Sequence, residues 1–452
     1  MEKAIPGPAV ERDLEEIRKD GKLKVLTTYS GTSYFLYRGR PMGFEYELLK
    51  RFADYLELDL EIHVSGNIDS LLMELNKGSV DLVAHGITIT SERKDAVSFT
   101  DYLYLTHQVL VQKKPDNWRE MKWSAIQKSL VHDAIELIGD TVSVRANSSY
   151  HQRLENLSTE IGGEIIIDTL SGDLSTDEII KMVVDGEIKY TVADNNLASI
   201  NASYFPVLDI DVPISFSQRI GWAVRRNSPD LLQAANTWLK EMKKEVDYYV
   251  IYNKYFKNKR SFRQRIQSDF YSLNKNRISQ YDDLIRQYAD SIRWDWRLLA
   301  SLVYQESRFE ADAGSWAGAK GLMQLMPAIA GDLGVNDRLD PTQSIRGGTR
   351  YLERLWNRFE SVPDSLQRLK FTMASYNCGY YHVVDARKLA AERDINPDMW
   401  DGEVEEMILA LSYPKNYNHP VVQYGYVRGI EPYTYVRQIF ERYDHYRKFI
   451  ER

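Results

Sequence analysis

The 452-residue sequence has a single cysteine, Cys378, which excludes both an intrachain disulfide framework and a cysteine-based metal cluster. It also lacks an uninterrupted apolar run of the roughly 18 residues that a membrane-spanning helix needs. Residues 1–21 carry charge together with Pro6 and Pro8 but no apolar centre of the kind a signal peptide has. Either the chain is cytosolic or a targeting segment has been removed. An excess of positive charge is missing too: 58 Lys and Arg against 65 Asp and Glu leave −7, so no global attraction to nucleic acid or anionic lipid is expected. Repeats, low-complexity tracts, phosphate loops, His-Glu-x-x-His and Gly-x-Ser-x-Gly elbows are all absent. The eight histidines are scattered, and neither a metal nor a cofactor is expected.

What is present is an ordinary globular balance, 43% hydrophobic and 27% charged, in a chain long enough for two or three domains. From Lys22 strands alternate with helices. Leu23–Leu26 reads as a strand, Gly43–Leu56 as a helix with Phe44, Leu48, Phe52 and Tyr55 at helical spacing, and Leu58, Leu60, Ile62 and Val64 alternate as a strand. The theme continues through Ser79–Thr90, Thr141–Val144, Thr176–Val184, Lys189–Ala193 and Arg219–Val224, which predicts a largely parallel α/β sheet. The Lys/Arg-dense run from Lys257 has almost nothing to bury and reads as a linker, after which the apolar spacing is helical to the end. The expected plan is a tail over 1–21, an α/β domain over 22–256, a linker over 257–268 and a mainly helical domain over 269–452.

Within Ser291–Phe309, residues Ile292, Trp296, Leu299 and Val303 form one helical stripe that Glu306 continues. A carboxylate there must be paired or have a raised pKa, and Arg308 sits nearly on the opposite face. Two readings fit this periodicity: a helix end where Glu306 reaches solvent, and a poised general acid.

Four blocks follow in order: Glu306-Ser307-Arg308-Phe309; Ser315 through Gly318, Gly321, Gln324 and Met326 to Pro327; Ser375-Tyr376-Asn377-Cys378-Gly379; and Glu431 with Tyr435-Val436. This set resembles the lysozyme-like, soluble-type lytic transglycosylases that cleave peptidoglycan. The resemblance implies a mainly α, lysozyme-like fold in which Glu306 is catalytic acid and base. It further implies that Ser315 and Gln324 contact N-acetyl groups, that Tyr376, Asn377 and Met326 line the groove, that Glu431 is a second acidic position, and that Tyr435 faces the catalytic carboxyl. The glycines Gly318 and Gly321 would let backbone approach the groove. With one carboxylate where glycosidases generally use two, the substrate's 2-acetamido group would supply the second function. The implied reaction is a lyase step on the N-acetylmuramic acid–N-acetylglucosamine bond that leaves a 1,6-anhydromuramoyl end. Trp294, Trp296, Trp316 and Trp356 offer stacking faces, and none is assigned to the groove from sequence.

The first region carries Asp81 through Lys94, including Gly86, Thr88 and Arg93, and then Val97-Ser98-Phe99. It resembles the bilobed extracellular solute-binding proteins that bind amino acids. The resemblance implies that the turn at Gly86, the Thr88 hydroxyl and the Arg93 guanidinium clamp a ligand carboxylate, and that Asp194 holds the ligand ammonium. Two alternatives remain open at this point, Arg93 as a surface cation and Asp194 as a helix cap. The segment Ser143–Ser149 lacks the usual glycine-bearing turn and places Arg145 where a basic ligand contact would sit, while Tyr29, Tyr34 and Phe35 all compete for the aromatic lid. A peptide bearing both carboxylate and amine fits as well as a free amino acid.

Together the modules are similar to membrane-bound lytic transglycosylases of the kind called F. The expected partners are peptidoglycan glycan strands and a stem-peptide or amino-acid ligand, with no nucleic acid. The expected location is the periplasm, peripheral to the outer membrane. The competing readings are a binding protein whose helical module only docks on the wall and a water-using muramidase or chitin-type hydrolase.

Overall fold

The computed structural model describes residues 7–65, 70–146, 148–273 and 276–451. Two compact units are distinguished: one takes the chain through Phe35 and from Pro41 to Asn274, the other takes Leu36–Arg40 and the chain from Lys275 onward.

The first unit is bilobed and α/β. In its first lobe, strand Lys22–Thr27 pairs in parallel with Asp59–Val64 and with Leu82–Thr88. Gln218–Val224 then joins Leu82–Thr88 in antiparallel sense, and Ser98–Phe99 and Tyr104–Thr106 pair antiparallel with it. The second lobe has an antiparallel set, Tyr190–Asp194, Gln108–Lys113 and Leu208–Asp209, beside a parallel pair, Thr141–Arg145 and Ile166–Leu170. The sheets are therefore mixed, which corrects the expectation of a largely parallel one. Period-2 patterning identifies a strand without saying which neighbour it takes or in which direction.

Both segments expected to lie outside the core are packed. Leu14–Asp20 is a helix with an Asp13/Glu16 capping box and buried Leu14 and Ile17. Arg12 beside it pairs at 2.7 Å with Asp81, which also meets the buried Arg225. In the run expected as a linker, Lys259–Ile266 is a helix with Phe262 and Arg265 buried, and Arg263 Nε donates to Ser203 O at 2.8 Å. Arginine stems cover apolar surface while their heads find partners, so a basic run need not be solvated.

The second unit is mainly helical; apart from the paired short strands Phe35–Tyr37 and Arg40–Met42, which fall partly within Leu36–Arg40, it has only isolated β-bridges among the described residues. Its centre is Trp296–Ser307, buried over Trp296, Leu298, Leu299, Ala300, Leu302 and Val303. An almost all-round apolar helix can only be a core helix. It packs against Asp282–Ser291 and Ile430–Phe449, and Ser301 Oγ donates to Ile439 O at 2.7 Å. Ser365–Cys378 lies against Ile430–Phe449, Pro341–Arg358 and Tyr380–Glu392.

Candidate functional site

Glu306 occupies the last turn of the central helix, which Arg308 ends in the left-handed region at φ 53°. Phe309 follows at φ 65°, and Gln324 is held at φ 46°. Positive φ at Arg308 and Phe309 concentrates backbone strain directly after this carboxyl, as functional sites often do. Glu306 has no ion-pair partner among the described residues and is only partly open to solvent. It is half-buried among apolar neighbours that push its pKa up to about 7, while a hydrogen bond from Tyr435 opposes that shift. Tyr435, 6% exposed on Ile430–Phe449, donates its hydroxyl to Glu306 Oε1.

Tyr376 is half-buried and donates to Met323 O at 2.7 Å, and its ionisation is opposed first by burial and then by the charge of Glu306. Its ring lies 5.4 Å from that of Tyr351. Asn377 is exposed next to it. Glu431 lies one turn before Tyr435 on the same helix, exposed and paired with Arg428 at 2.9 Å. Burial raises the Glu306 carboxyl and Tyr435 opposes that shift, with no contribution from a second carboxylate.

The loop from Ala313 to Met326 is tightly self-bonded. Gly321 N donates to Ala313 O at 2.9 Å, and the Gln324 amide nitrogen donates to Ala313 O and Gly321 O at 3.0 and 2.9 Å. Both amide hydrogens of Gln324 are thereby used, so Oε1 is the atom left for a ligand. Ser315 Oγ accepts from Ala319 N at 3.1 Å. Gly321 has φ 81°, and a Cβ there would stand 1.8 Å from Arg338 O. Its glycine is required by that neighbouring carbonyl, not by backbone approach to a substrate. Gly318 meets nothing within 4 Å and serves the turn through its φ of 91°. Met326 is exposed at the loop's end. Of the four tryptophans considered, Trp316 is fully exposed on this loop, Trp296 is buried under the Arg286 guanidinium, and Trp294 and Trp356 pack edge-on.

In the first unit Gly86, Thr88, Arg93, Arg145 and Asp194 line one cavity of about 690 Å³. Thr88 Oγ1 lies 3.3 Å from Ser149 Oγ, and Arg93 Nη1 donates to Thr88 O at 3.0 Å. Arg93 is thus a cleft residue and not a surface cation. Asp194 makes no cap bond to the helix that follows it. It is 5% exposed, accepts from Tyr150, and keeps Oδ1 buried without a partner among the described residues. Burial pushes its pKa up to about 7. His85 joins the lining: burial and the charges of Arg145 and Arg93 push its ring down to about 3. Of the lid candidates Tyr29 reaches the cavity, whereas Tyr34 and Phe35 are fully buried. Asn147, within the segment that departs from the usual turn, lies outside the described residues. Glu45, buried with Trp222 Nε1 2.5 Å from Oε2, and Asp177 also line the cavity. Glu45 follows Phe44 on an apolar helix, and Asp177 lies in a polar first turn where acidic residues are ordinary, so neither stood out in the sequence.

The family of bacterial extracellular solute-binding proteins, family 3, matches residues 22–258, and the transglycosylase SLT domain matches residues 283–399. A membrane-bound lytic murein transglycosylase F of Desulfosudis oleivorans is 36% identical over 96% of this chain and 91% of its own length. The chain belongs to that transglycosylase family. The Shewanella woodyi transglycosylase is 34% identical over 98% of this chain and 86% of its own. An ancestral arginine-binding protein bound to arginine is 26% identical, covering 52% of this chain and 98% of that one, at a TM-score of 0.44. The lytic transglycosylase activity belongs to the helical unit that carries Glu306, and the α/β unit is of the solute-binding kind. No helix among the described residues of this transglycosylase is long and apolar enough to cross a membrane.

Proposed function

We propose that Glu306 performs both proton transfers of a non-hydrolytic cleavage. As the neutral acid it protonates the oxygen joining N-acetylmuramic acid to N-acetylglucosamine. The bond from the muramoyl anomeric carbon to that oxygen breaks, and the electron pair stays with the departing 4-hydroxyl. The 2-acetamido oxygen stabilises the developing oxocarbenium ion. The Glu306 carboxylate then takes the proton of the muramoyl 6-hydroxyl, whose oxygen bonds to the anomeric carbon. The product carries a 1,6-anhydro ring, Glu306 is again neutral, and no water is consumed.

The observation that carries this reading is a lone carboxyl raised to about 7 and hydrogen-bonded by Tyr435. A general acid works best when its pKa lies near the working pH. The reading assigns Tyr435 to orienting Glu306, and Ser315, Gln324 Oε1, Met326, Tyr376, Asn377 and Glu431 to the groove. Mass spectrometry of peptidoglycan digested by the protein and by Glu306→Gln tests it. Muropeptides one water lighter than muramidase products, made only by the unmodified protein, are expected. Hydrated reducing ends would assign a hydrolase instead.

In the first unit, the pairing of Arg93 and Arg145 with Asp194 supports a ligand bearing carboxylate and ammonium groups, and 690 Å³ accommodates a short stem peptide. Occupancy of that cleft regulates the lyase. Equal lyase rates with and without saturating stem peptide would remove the regulatory part. The protein works in the periplasm, held peripherally at the outer membrane.

A further inference from the structure

The helix Pro341–Arg358 carries Arg346, Arg350, Arg354 and Arg358 four residues apart, against Glu353 as its single acidic residue, in a chain whose net charge is −7. Residues four apart share a helix face. Arg350, Arg354 and Arg358 are exposed, and none of them takes part in an ion pair among the described residues. Three such cations on one exposed face repel one another and are ordinarily interleaved with carboxylates.

The position of this face matters. Tyr351 lies on it, at i−3 and i−7 from Arg354 and Arg358, and the charges of both arginines act on its hydroxyl. Its ring touches Tyr376, whose ionisation is in turn opposed by Glu306. At its other end Arg358 lies 4.7 Å over the Tyr380 ring. Tyr380 meets Tyr381 edge-on, and Tyr381 stacks on Tyr424 with ring centroids 4.4 Å apart and planes at 19°. Tyr381 and Tyr424 are 50% and 48% exposed, and buried Asp385 fixes the Tyr424 segment by accepting from the backbone N–H groups of Gln423 and Tyr424 at 3.0 and 2.6 Å. Contacts thus lead from Tyr376 and Tyr351, through the exposed guanidinium groups beside them, to a braced pair of flat rings.

We propose that Arg350, Arg354 and Arg358, with the Tyr381–Tyr424 platform, bind the acidic stem peptides carried by the glycan strand undergoing cleavage. The occupant follows from charge and continuity. The strand's sugars are neutral, its peptides carry free carboxylates, and the cationic face joins the groove wall directly. Guanidinium forks suit carboxylates, and the tyrosine faces accept the aliphatic parts of a peptide. The enzyme therefore prefers strands that still bear their peptides. This rests on the assignment of Glu306 to the chemistry.

The test measures kinetics on soluble glycan strands with intact stem peptides and on the same strands stripped by an amidase and then amidated at the lactyl carboxyl that the stripping exposes. For the double variant Arg350→Gln/Arg354→Gln, KM on peptide-bearing strands is expected to rise about five- to tenfold with kcat unchanged, while stripped strands are cleaved as before. Arg354→Lys, which keeps the charge, should retain most of the preference, and raising the salt should erode it in the unmodified protein. Equal effects on both substrates, or none on either, would overturn the proposal. So would a KM unchanged on both substrates together with lost binding to phosphatidylglycerol vesicles, which would assign the face to lipid. Loss of the Glu306 reading would show separately, as Glu306→Gln retaining activity on stripped strands.

Discussion

At Glu306 burial raises the pKa from the ordinary carboxylate value to about 7, and the Tyr435 hydroxyl lowers it because it bonds better to the charged form. The acid form persists up to that pH, so lyase activity should fall as pH rises through about 7. Removing the opposing hydroxyl in Tyr435→Phe should move this alkaline limb upward, which a pH–rate profile of kcat/KM reads directly; an unmoved limb would detach Tyr435 from the carboxyl. The same shift has a stability consequence. Between the unfolded and folded pKa values the folded state binds the extra proton, so stability falls as pH rises through that window. Glu306→Gln should therefore leave Tm nearly unchanged at pH 5 and raise it at pH 8, by about 2–4 °C for a gain near 1 kcal/mol. Asp194 obeys the same sign. A ligand ammonium favours its charged form, so peptide binding near pH 7 should release about half a proton. Calorimetry in buffers of different ionisation enthalpy would detect that release, and Asp194→Asn should abolish it. The stripe that continues into Glu306 was legible in the sequence, because helical period is local. The partners that tune these groups were not: Tyr435 and Tyr150 arrive from distant segments, and only the fold brings them to a carboxyl.

Elements with a strong period emerge where the pattern puts them, as Phe44–Leu56, Thr176–Asp185 and Tyr190–Asp194 illustrate. Strand direction was less legible, since Gln218–Val224 reads equally well in either sense until its neighbour is known. The helices Leu14–Asp20 and Lys259–Ile266 escaped because two or three apolar side chains in a charged run are enough to anchor a short element. The four-residue arginine spacing of Pro341–Arg358 was visible and meant nothing without Tyr351 and Tyr376 beside it. The Ala313–Met326 loop shows how narrowly a short element is specified. Gly321→Ala must displace the Arg338 carbonyl from 1.8 Å and adopt φ 81°. It should cost more than about 3 kcal/mol, seen as a large fall in Tm or a lyase rate reduced at least a hundredfold by the loop's displacement. A variant with unchanged Tm and rate would contradict that packing.

A chain of two units, one with a ligand-sized cleft and one that does chemistry, should report occupancy of that cleft in its unfolding. At a stem-peptide concentration of about 100 Kd the liganded unit gains about 2.7 kcal/mol. For a unit of this size that is roughly a 5–10 °C rise in one calorimetric transition. A second transition that stays in place would mark the helical unit, whereas joint movement would mean that the ligand's free energy is felt by the whole chain.

The sole cysteine makes such coupling measurable. Cys378 is largely enclosed, and burial pushes its thiol up to about 12, so at pH 7 only about one molecule in 10⁵ carries the reactive thiolate. The natural protein should therefore be nearly silent toward maleimides, which labelling it alone would check. Paired cysteines engineered onto opposite lips of the α/β cleft would take spin labels or fluorophores with almost no background, and the distance between them could be followed as peptide is added and sugar strands are cut.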